Sequence, residues 1–581
     1  MTSAAYDFVG NRFIAASWRP GADERVLKRL RSAIDGWSIA EGAGWLLASE
    51  KPEAFASTPS IAVSLGRRST FDRSAAAFRS PAEVATALDA QGAAAIYDMA
   101  PPFRAVWADR PKAALRAETD VFGLGQVFVG NGVGVALTAS SATLLADVLA
   151  APTSAERLAG YALFGSFIRE ETPFEGIDKL LAGACAHLAD GRLEISERPA
   201  ARHAGSDLTA AFQAAVAAML KAAPDAELEL SGGLDSRLIL AAMTPDERHG
   251  RKAITIGVAG EPSEDVTVAR ALAESEQLDW SLLDAGSIAS LDADGLAELL
   301  RAATIAYDHM ANPLDKAALI AASQGRRVEA RFGGQNGEIL RGFYYPAQPL
   351  DAAPSEALAR NLISMRLQAN DRVEDAALSP LAQRDLRAAA EQRMVGVLMS
   401  HEGPWGRALD EFYLNQRMQN WVGNATGHRL MDHAPLYPFF DPAFVSAAMA
   451  QSSTAKLNSR AAYRLLQALD GDLAKRPLAG GIVPARAIST GRVTDLWLNA
   501  QRVSSRVLRS LRGRARNTLG SQTVTQHWRR LNLNAGLPVD RLSATGLFNR
   551  ASLQEFADGT RLPSRATLGF LLLMSSLEAR P

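Results

Sequence analysis

Leu228-Glu229-Leu230-Ser231-Gly232-Gly233-Leu234-Asp235-Ser236-Arg237-Leu238-Ile239-Leu240 is the stretch on which the reading of this chain turns. A short apolar strand passes through a Ser-Gly-Gly turn into a helix. Two adjacent glycines let backbone approach an anion without a Cβ clash, and a new helix offers free N–H groups and a favourable dipole. Ser231 and Ser236 add hydroxyl donors, and Asp235 supplies a carboxylate suited to holding Mg²⁺ against phosphates. Gly-Gly alone marks many ordinary turns. Ser-Gly-Gly-Leu-Asp-Ser directly after a strand is far more specific, and it points to a nucleotide-phosphate cradle.

No Lys follows the glycines, so this is not the GxxxxGK[ST] loop. The stretch resembles the pyrophosphate loop of the ATP-pyrophosphatase superfamily. That resemblance implies cleavage of ATP between its α and β phosphates, with a carboxylate or carbonyl oxygen adenylated and pyrophosphate released.

The 581 residues exceed one ordinary domain and favour two or three. With 62 basic and 63 acidic residues the net charge is −1, which argues against a chain built throughout for nucleic acid or an anionic membrane. A single cysteine, Cys185, excludes an internal disulfide framework and a Cys-rich metal site. The first residues, Met1-Thr2-Ser3-Ala4-Ala5-Tyr6-Asp7, lack the basic and apolar regions of a signal peptide, and no run of about 18 uncharged apolar residues occurs. The expectation is a cytoplasmic protein with no membrane and no nucleic-acid partner.

Residues 1–202 alternate short apolar runs with turn signals, as in Val127 to Thr138, where Gly130-Asn131-Gly132 reads as a hairpin corner. Helical stretches at Ser141 to Leu149 and Ser154 to Leu163 interrupt them. Near Arg202 to Asp207 the pattern changes. Ser206 or Asp207 can cap a helix with apolar Leu208, Phe212, Val216 and Leu220 on one face, and a domain boundary is placed there. From Glu227 onward strands alternate with helices, which predicts βαβ units on a parallel sheet: Leu228 to Leu230, Ala253 to Val258, and a strand near Val328 to Phe332. Ligands in such sheets lie beyond the C-terminal strand ends. The loops Gly260-Glu261-Pro262-Ser263-Glu264-Asp265 and Gly333-Gly334-Gln335-Asn336-Gly337-Glu338 are therefore the places to look, the first leading into a helix through Val268, Ala269 and Leu272. Beyond residue 355 the pattern is mainly helical, with a Pro-punctuated segment from Ala434 to Pro442.

Between Gln501 and Arg530 lie eight arginines and no acidic residue, which reads as a solvated basic helix face or as a docking surface for an acidic partner. The eight histidines show no paired metal spacing, and His309, His428 and His433 read as structural or surface residues.

Taken together the chain resembles the asparagine synthetase family, in which an N-terminal glutaminase domain precedes an ATP-pyrophosphatase domain. Asp120-Val121-Phe122-Gly123-Leu124-Gly125-Gln126-Val127-Phe128 is similar to the family's Asp-x-x-Gly-x-x-x-Leu-Tyr segment. Phe164-Gly165-Ser166-Phe167 and Glu171-Thr172-Pro173-Phe174 resemble its stretch near the end of the glutaminase-like domain, and Asp265 with Ala269-Arg270 matches in the synthetase half. The resemblance implies an α/β protein of two parts: a glutaminase-like, Ntn-type α+β sandwich over 1–202, and an ATP-pyrophosphatase α/β domain with a parallel sheet and helical C-terminal part over 207–581.

Three departures shape the expected function. Glutaminases of this class use an N-terminal Cys whose free α-amine is the base for the thiol, and here position two is Thr2, so glutamine hydrolysis is expected to be lost. The family's glycine loop ends in Asp-Glu, the Asp holding Mg²⁺; this chain has Gly337-Glu338, leaving Asp235 and Glu338 as metal candidates. The family's Arg-x-Lys-x-Gly reads Arg476-Pro477-Leu478-Ala479-Gly480, with Leu478 at the Lys position, so Lys475 or Arg476 is the candidate cation for the polyphosphate. The remaining expected ATP contacts are Leu230, Ser231, Gly232, Gly233, Asp235 and Ser236, the backbone of Ile256, Gly257 and Val258 toward adenine, and Gly333 and Gly334. Family members without glutaminase include β-lactam synthetases and lasso-peptide cyclases, in which a substrate's own amine attacks its adenylated carboxylate. The favoured expectation is a lasso-peptide cyclase using ATP and Mg²⁺ on a precursor peptide, with a leader-peptide protease and a leader-binding protein as partners. An ammonia-dependent asparagine synthetase, a β-lactam-synthetase-like ligase and a non-catalytic scaffold remain alternatives.

Overall fold

In the N-terminal half, strand after strand buries both of its faces, and the computed structural model shows why. It describes residues 10–198, 207–260, 263–323, 326, 328–368, 372–426, 433–488 and 521–580. Thr2, residues 202–206, Glu261, Pro262, His428 and the arginine-rich run as far as residue 520 lie outside the described residues. Two six-stranded antiparallel sheets face each other. The first runs, edge to edge, Ile177–Lys179, Phe128–Gly132, Val135–Ala139, Phe13–Trp18, Trp45–Ser49, Ser38–Gly42. The second runs Arg192–Glu197, Ala184–Ala189, Ala114–Thr119, Arg104–Asp109, Ile61–Leu65, Phe55–Ser57. Side chains alternate across a strand with period two. Phe13, Ala15 and Leu47 thus meet Val106, Ala117 and Leu188 between the sheets. Ile14, Ala16 and Leu46 point the other way, onto the helices Glu24–Ala33 and Ala142–Leu149. The second sheet's outer face packs Val63, Ala105 and Trp107 on Val84 and Leu88 of the helix Pro81–Gln91. The result is a sandwich of four layers, as the α+β expectation required.

The hairpin at Val127 to Thr138 turns later than its Gly130-Asn131-Gly132 corner suggests. Gly130 to Gly132 are strand residues, and Gly132 pairs with Val135, so the turn is Val133-Gly134. Gly134 supplies the positive φ, +69°, and this register keeps Val135 and Leu137 in the core.

Asp120, buried, closes the loop that follows it: its carboxylate accepts from the backbone N–H groups of Phe103 (3.0 Å), Phe122 (2.9 Å), Leu124 (3.3 Å) and Gly125 (2.7 Å). Cys185 lies buried in the second sheet, where Arg116 Nε donates to its sulfur at 2.9 Å. Burial, with the charge of Glu118, pushes its thiol up to about 11.

The second half is built on five parallel strands, here β1 (Glu227–Glu229), β2 (Lys252–Gly257), β3 (Asp279–Asp284), β4 (Ala330–Phe332) and β5 (Ala434–Leu436), in the spatial order β3-β2-β1-β4-β5. Asp207 caps the leading helix Leu208–Ala222, accepting from Ala210 N at 2.9 Å, and Phe212, Val216 and Leu220 are buried as the four-residue spacing predicts. Two strands escaped the sequence reading. β3 alternates apolar and polar residues weakly, and β5 falls in the Pro-punctuated segment: Pro435, which has no N–H to give, is accommodated because β5 is the sheet's edge. Among the described residues no helix is long and apolar enough to cross a membrane.

The halves are joined by buried polar contacts. The Asp308 carboxylate reaches across to the start of Ala142–Leu149, accepting from Ser141 Oγ at 2.7 Å, Thr143 N at 3.2 Å and the N–H of Ala142. A second set lies along the continuous helical stretch Trp405–Thr426, whose middle, Tyr413–Val422, is wound as a π-helix. There Gln416 receives from Arg169 N (2.8 Å) and donates to Phe167 O (2.8 Å), Asn420 accepts from Lys179 Nζ (2.5 Å), and Asn424 accepts from Gln126 (2.5 Å).

Candidate active site

Strand order reverses between β1 and β4: the chain leaves β1 toward β2 on one side and returns to β4 on the other. The crevice outside the C-terminal ends of two such strands is where ligands settle in open parallel sheets. The loop after β1 is Leu230 to Gly233, leading into the helix Leu234–Ala241; the loop after β4 is Gly333 to Glu338. The topology thus brings together two segments about a hundred residues apart.

The first loop is wound on its own hydroxyls. Ser231 N donates to Ser236 Oγ (3.0 Å), the two serine hydroxyls lie 3.1 Å apart, and Gly233 N donates to Ser231 Oγ (3.2 Å). Leu230 is anchored through its carbonyl to Thr255 Oγ1 (2.8 Å), itself held by Trp280 Nε1. Gly232 N donates to the Asp265 carboxylate at 3.1 Å, and its carbonyl accepts from Ala479 N at 2.9 Å. A Cβ at 232 would meet Asp265 O at 2.9 Å and Ala479 Cβ at 3.0 Å, so this glycine is required by crowding. Ile256 and Val258, partly exposed at the end of β2, flank the buried Gly257.

Asp235 stands in the first turn of the new helix, its side chain 21% exposed. Arg341 Nη2 donates to its Oδ2 at 2.6 Å and lies 3.6 Å from Glu338 Oε1, while Tyr413 OH donates to Glu338 Oε2 at 3.4 Å. Burial raises the Asp235 carboxyl to about 6 against the opposing pull of Arg341, and the Glu338 charge adds to the rise. Burial disfavours the Arg341 charge, but Asp235 and Glu338 outweigh it and hold the guanidinium above its ordinary value. Gly334 and Gly337 lie against Asp235: a Cβ at 334 would sit 3.0 Å from Asp235 Cβ, and one at 337 would sit 2.9 Å from it and closer still to the carboxyl carbon. Gly333 is similarly crowded by Tyr437, 2.7 Å from where its Cβ would be. Among the described residues Asp235 Oδ1, Gln335 Oε1 and Arg341 Nε are buried without a hydrogen-bond partner, three polar atoms around one crevice that call for a ligand.

Asp235, Glu338, Ser231, Ser236 and the glycines therefore converge. Lys475 and Arg476 do not bring their charges there. Lys475 ends the short helix Gly471–Lys475 on its solvent side, 70% exposed and paired with Asp472 at 2.8 Å. Arg476 turns to Glu276 (3.3 Å) and Ser275, and its carbonyl accepts from the buried Arg237. The segment after them reaches the loop by backbone alone, through Ala479 to Gly232 and Gly480 N to Glu264 Oε1 (2.6 Å). The cation beside Asp235 is Arg341, which lies outside the motifs legible in the sequence. Its one signal in the sequence is its place three residues after Glu338. Tyr413, 75 residues further on, has none.

Mg²⁺ commonly binds through one or two carboxylates together with phosphates and water. Asp235 with its orphaned oxygen, and Glu338 beside it, form such a donor set; among the described residues no group of three or more His, Cys, Asp or Glu could hold a metal without a phosphate.

A strand-loop-helix turn at the switch point of a parallel sheet, with two carboxylates and a cation facing it, has the geometry of a candidate nucleotide-phosphate site. Residues 207–473 match the asparagine synthase family, so the chain carries an asparagine synthase domain, which is an ATP-dependent, amide-forming domain whose family generally uses ATP and Mg²⁺. No curated protein sequence matches the chain.

Proposed function

We propose that this protein is an AMP-forming ligase that adenylates an Asp or Glu side chain of a precursor peptide and closes a macrolactam with that peptide's N-terminal amine. The observation that carries this reading is the wall running outward from Glu338. The Tyr413 ring lies 5.6 Å from Phe343; the guanidinium of Arg417 stands over Phe343 at 4.4 Å and over Trp421 at 5.1 Å; Arg366 covers Phe343 at 5.6 Å, and Lys316 covers Trp421 at 5.6 Å. Trp421 keeps half its surface exposed. Three cations interleaved with aromatic rings suit a peptide that carries an acidic side chain, and they exceed what ammonia and aspartate need.

The chemistry follows from the loop. Ser231, Gly232, Gly233 and Ser236 hold the phosphates, with Ile256, Gly257 and Val258 toward the base and Asp235 and Glu338 toward Mg²⁺, which when bound offsets phosphate charge. A carboxylate oxygen of the peptide attacks the α-phosphorus and pyrophosphate leaves. The amine nitrogen then attacks the acyl carbon, AMP leaves, and the nitrogen loses its proton. Holding both ends of one chain in the crevice turns this into an intramolecular step and keeps water from the acyl-adenylate. The sole cysteine, Cys185, is buried with its thiol pushed up to about 11, so an amine supplied by the substrate fits better than one released from glutamine by a thiolate. A leader-peptide protease and a leader-binding protein are partners compatible with this reading.

The test is mass spectrometry of a leaderless peptide, Gly or Ala first and Asp or Glu several residues in, incubated with the protein, ATP and Mg²⁺ while nucleotides are followed. Loss of one water together with AMP, abolished by Asp235→Ala, is the expected result. AMP formation with aspartate and ammonia, and none with peptides, would overturn it.

A further inference from the structure

Asp235 and Glu338 are the carboxylates best placed for a metal, yet Arg341 already lies against both. Its guanidinium is 2.6 Å from Asp235 Oδ2 and 3.6 Å from Glu338 Oε1. A divalent cation on Asp235 would face that charge at close range, so the two cannot share the carboxylate without strong repulsion. Gly337 makes the arrangement possible. No side chain at 337 is compatible with Asp235 where it stands, since a Cβ there falls 2.9 Å from Asp235 Cβ and nearer to its carboxyl carbon. The crevice thus holds two carboxylates and one guanidinium, with a net charge of about −1, where a pair of acids alone would present −2.

The neighbours of Arg341 leave its donors incomplete. Its Nε is buried without a partner among the described residues, as is Asp235 Oδ1, so the ion pair satisfies only one side of each group. A guanidinium so placed, at the end of a side chain with several rotatable bonds and 26% exposed, has somewhere to go when an anion arrives. No other described cation is bonded to Asp235, and the residues expected to serve the phosphates, Lys475 and Arg476, are paired with Asp472 and Glu276.

We propose that Arg341 is a mobile counter-cation: without nucleotide it neutralises Asp235, and when ATP enters with a divalent cation it yields Asp235 to the metal and transfers its guanidinium to the phosphates. The inference rests on the crevice being an ATP site, as in the function proposed above, but not on the identity of the acceptor. Arg341 would then supply the charge for which the sequence offers Leu478.

The test uses the full chain and reads binding, not turnover. Mn²⁺ binding without nucleotide is followed by electron paramagnetic resonance, and binding of α,β-methylene-ATP with Mg²⁺ by calorimetry. Arg341→Ala is expected to bind Mn²⁺ at least about tenfold more tightly and the nucleotide at least about tenfold more weakly, about 1.4 kcal/mol each way. Arg341→Lys, which keeps the charge and protects the fold should the alanine variant not fold, is expected to shift both in the same directions by less. Opposite signs are the signature, because a merely structural arginine would weaken both ligands together. Mn²⁺ affinity unchanged or lowered in both variants, with nucleotide still bound by the unaltered protein, overturns the counter-cation and leaves the ATP site standing. Failure of the unaltered protein to bind nucleotide overturns both.

Discussion

Gly337→Ala adds one methyl group at the point where the two loops touch. The new Cβ would lie 2.9 Å from Asp235 Cβ and closer to its carboxyl carbon, whereas ordinary carbon contacts begin at about 3.5 Å. Asp235 is a short side chain on the first turn of Leu234–Ala241, so it has little slack, and the carboxylate must move by roughly 1 Å or the loop must lift. A shift of that size takes the 2.6 Å bond to Arg341 out of hydrogen-bonding range. Overpacking costs about 1–3 kcal/mol, and losing a charge-assisted bond costs about 1.5–3 kcal/mol, less screening of a pair that is a fifth to a quarter exposed. A destabilisation of about 2–4 kcal/mol is expected from the urea midpoint of the transition that reports on the second half, with ATP turnover reduced at least about a hundredfold because the carboxylate is misplaced. Gly337 has no positive φ, so any loss is steric and not conformational. Gly337→Ala with unaltered midpoint and turnover would refute the placement of Asp235 against this loop.

Other outcomes follow from buried groups. His309, bonded to Thr143 Oγ1 (3.1 Å) and Ser576 Oγ (3.0 Å), has its imidazole lowered to about 3 by burial, with Arg580 adding to it. The fold therefore holds the neutral ring: its stabilisation is present above pH 6.5 and is lost as pH falls from there toward 3, about 2 kcal/mol of it by pH 5. Urea midpoints at pH 7 and pH 5 measure this, and His309→Gln should flatten the difference. Glu227 is buried between Arg331 (2.8 Å) and the partly exposed Arg326 (2.5 Å), so Glu227→Ala leaves the buried Arg331 with Glu229 alone, 3.9 Å away, and should cost about 3 kcal/mol in denaturant unfolding. The Cys185 thiol, buried and raised to about 11, should resist a thiol-directed alkylating reagent at pH 8 in the native protein and react on denaturation; quick native labelling would contradict its place in the sheet.

Much of the molecule is legible locally. Ser231 to Ser236 can be read as a phosphate loop because a Ser-Gly-Gly turn and a helix start are set by dihedral preference and hydrogen bonds within a few residues. The same holds for the helices begun by Ser141 and Asp207, each closed by its own side chain onto a backbone N–H. The sandwich and the parallel sheet follow from the apolar alternation that demands burial, although the Gly130–Gly132 corner was displaced because strand register, and not turn propensity, decides which face Val135 and Leu137 take. What only the tertiary structure decided is which distant groups share a crevice. Arg341 meets Asp235 across 106 residues, Tyr413 reaches Glu338 across 75, and Lys475 and Arg476, close to the loop along the backbone, turn their charges away. The reason is physical: a side chain's partner is settled by the packing of whole elements, β4 beside β1 and the helix Trp405–Thr426 beside both halves, and that packing minimises the exposed apolar surface and the unpaired buried charge of the entire fold, a sum no local stretch of sequence contains.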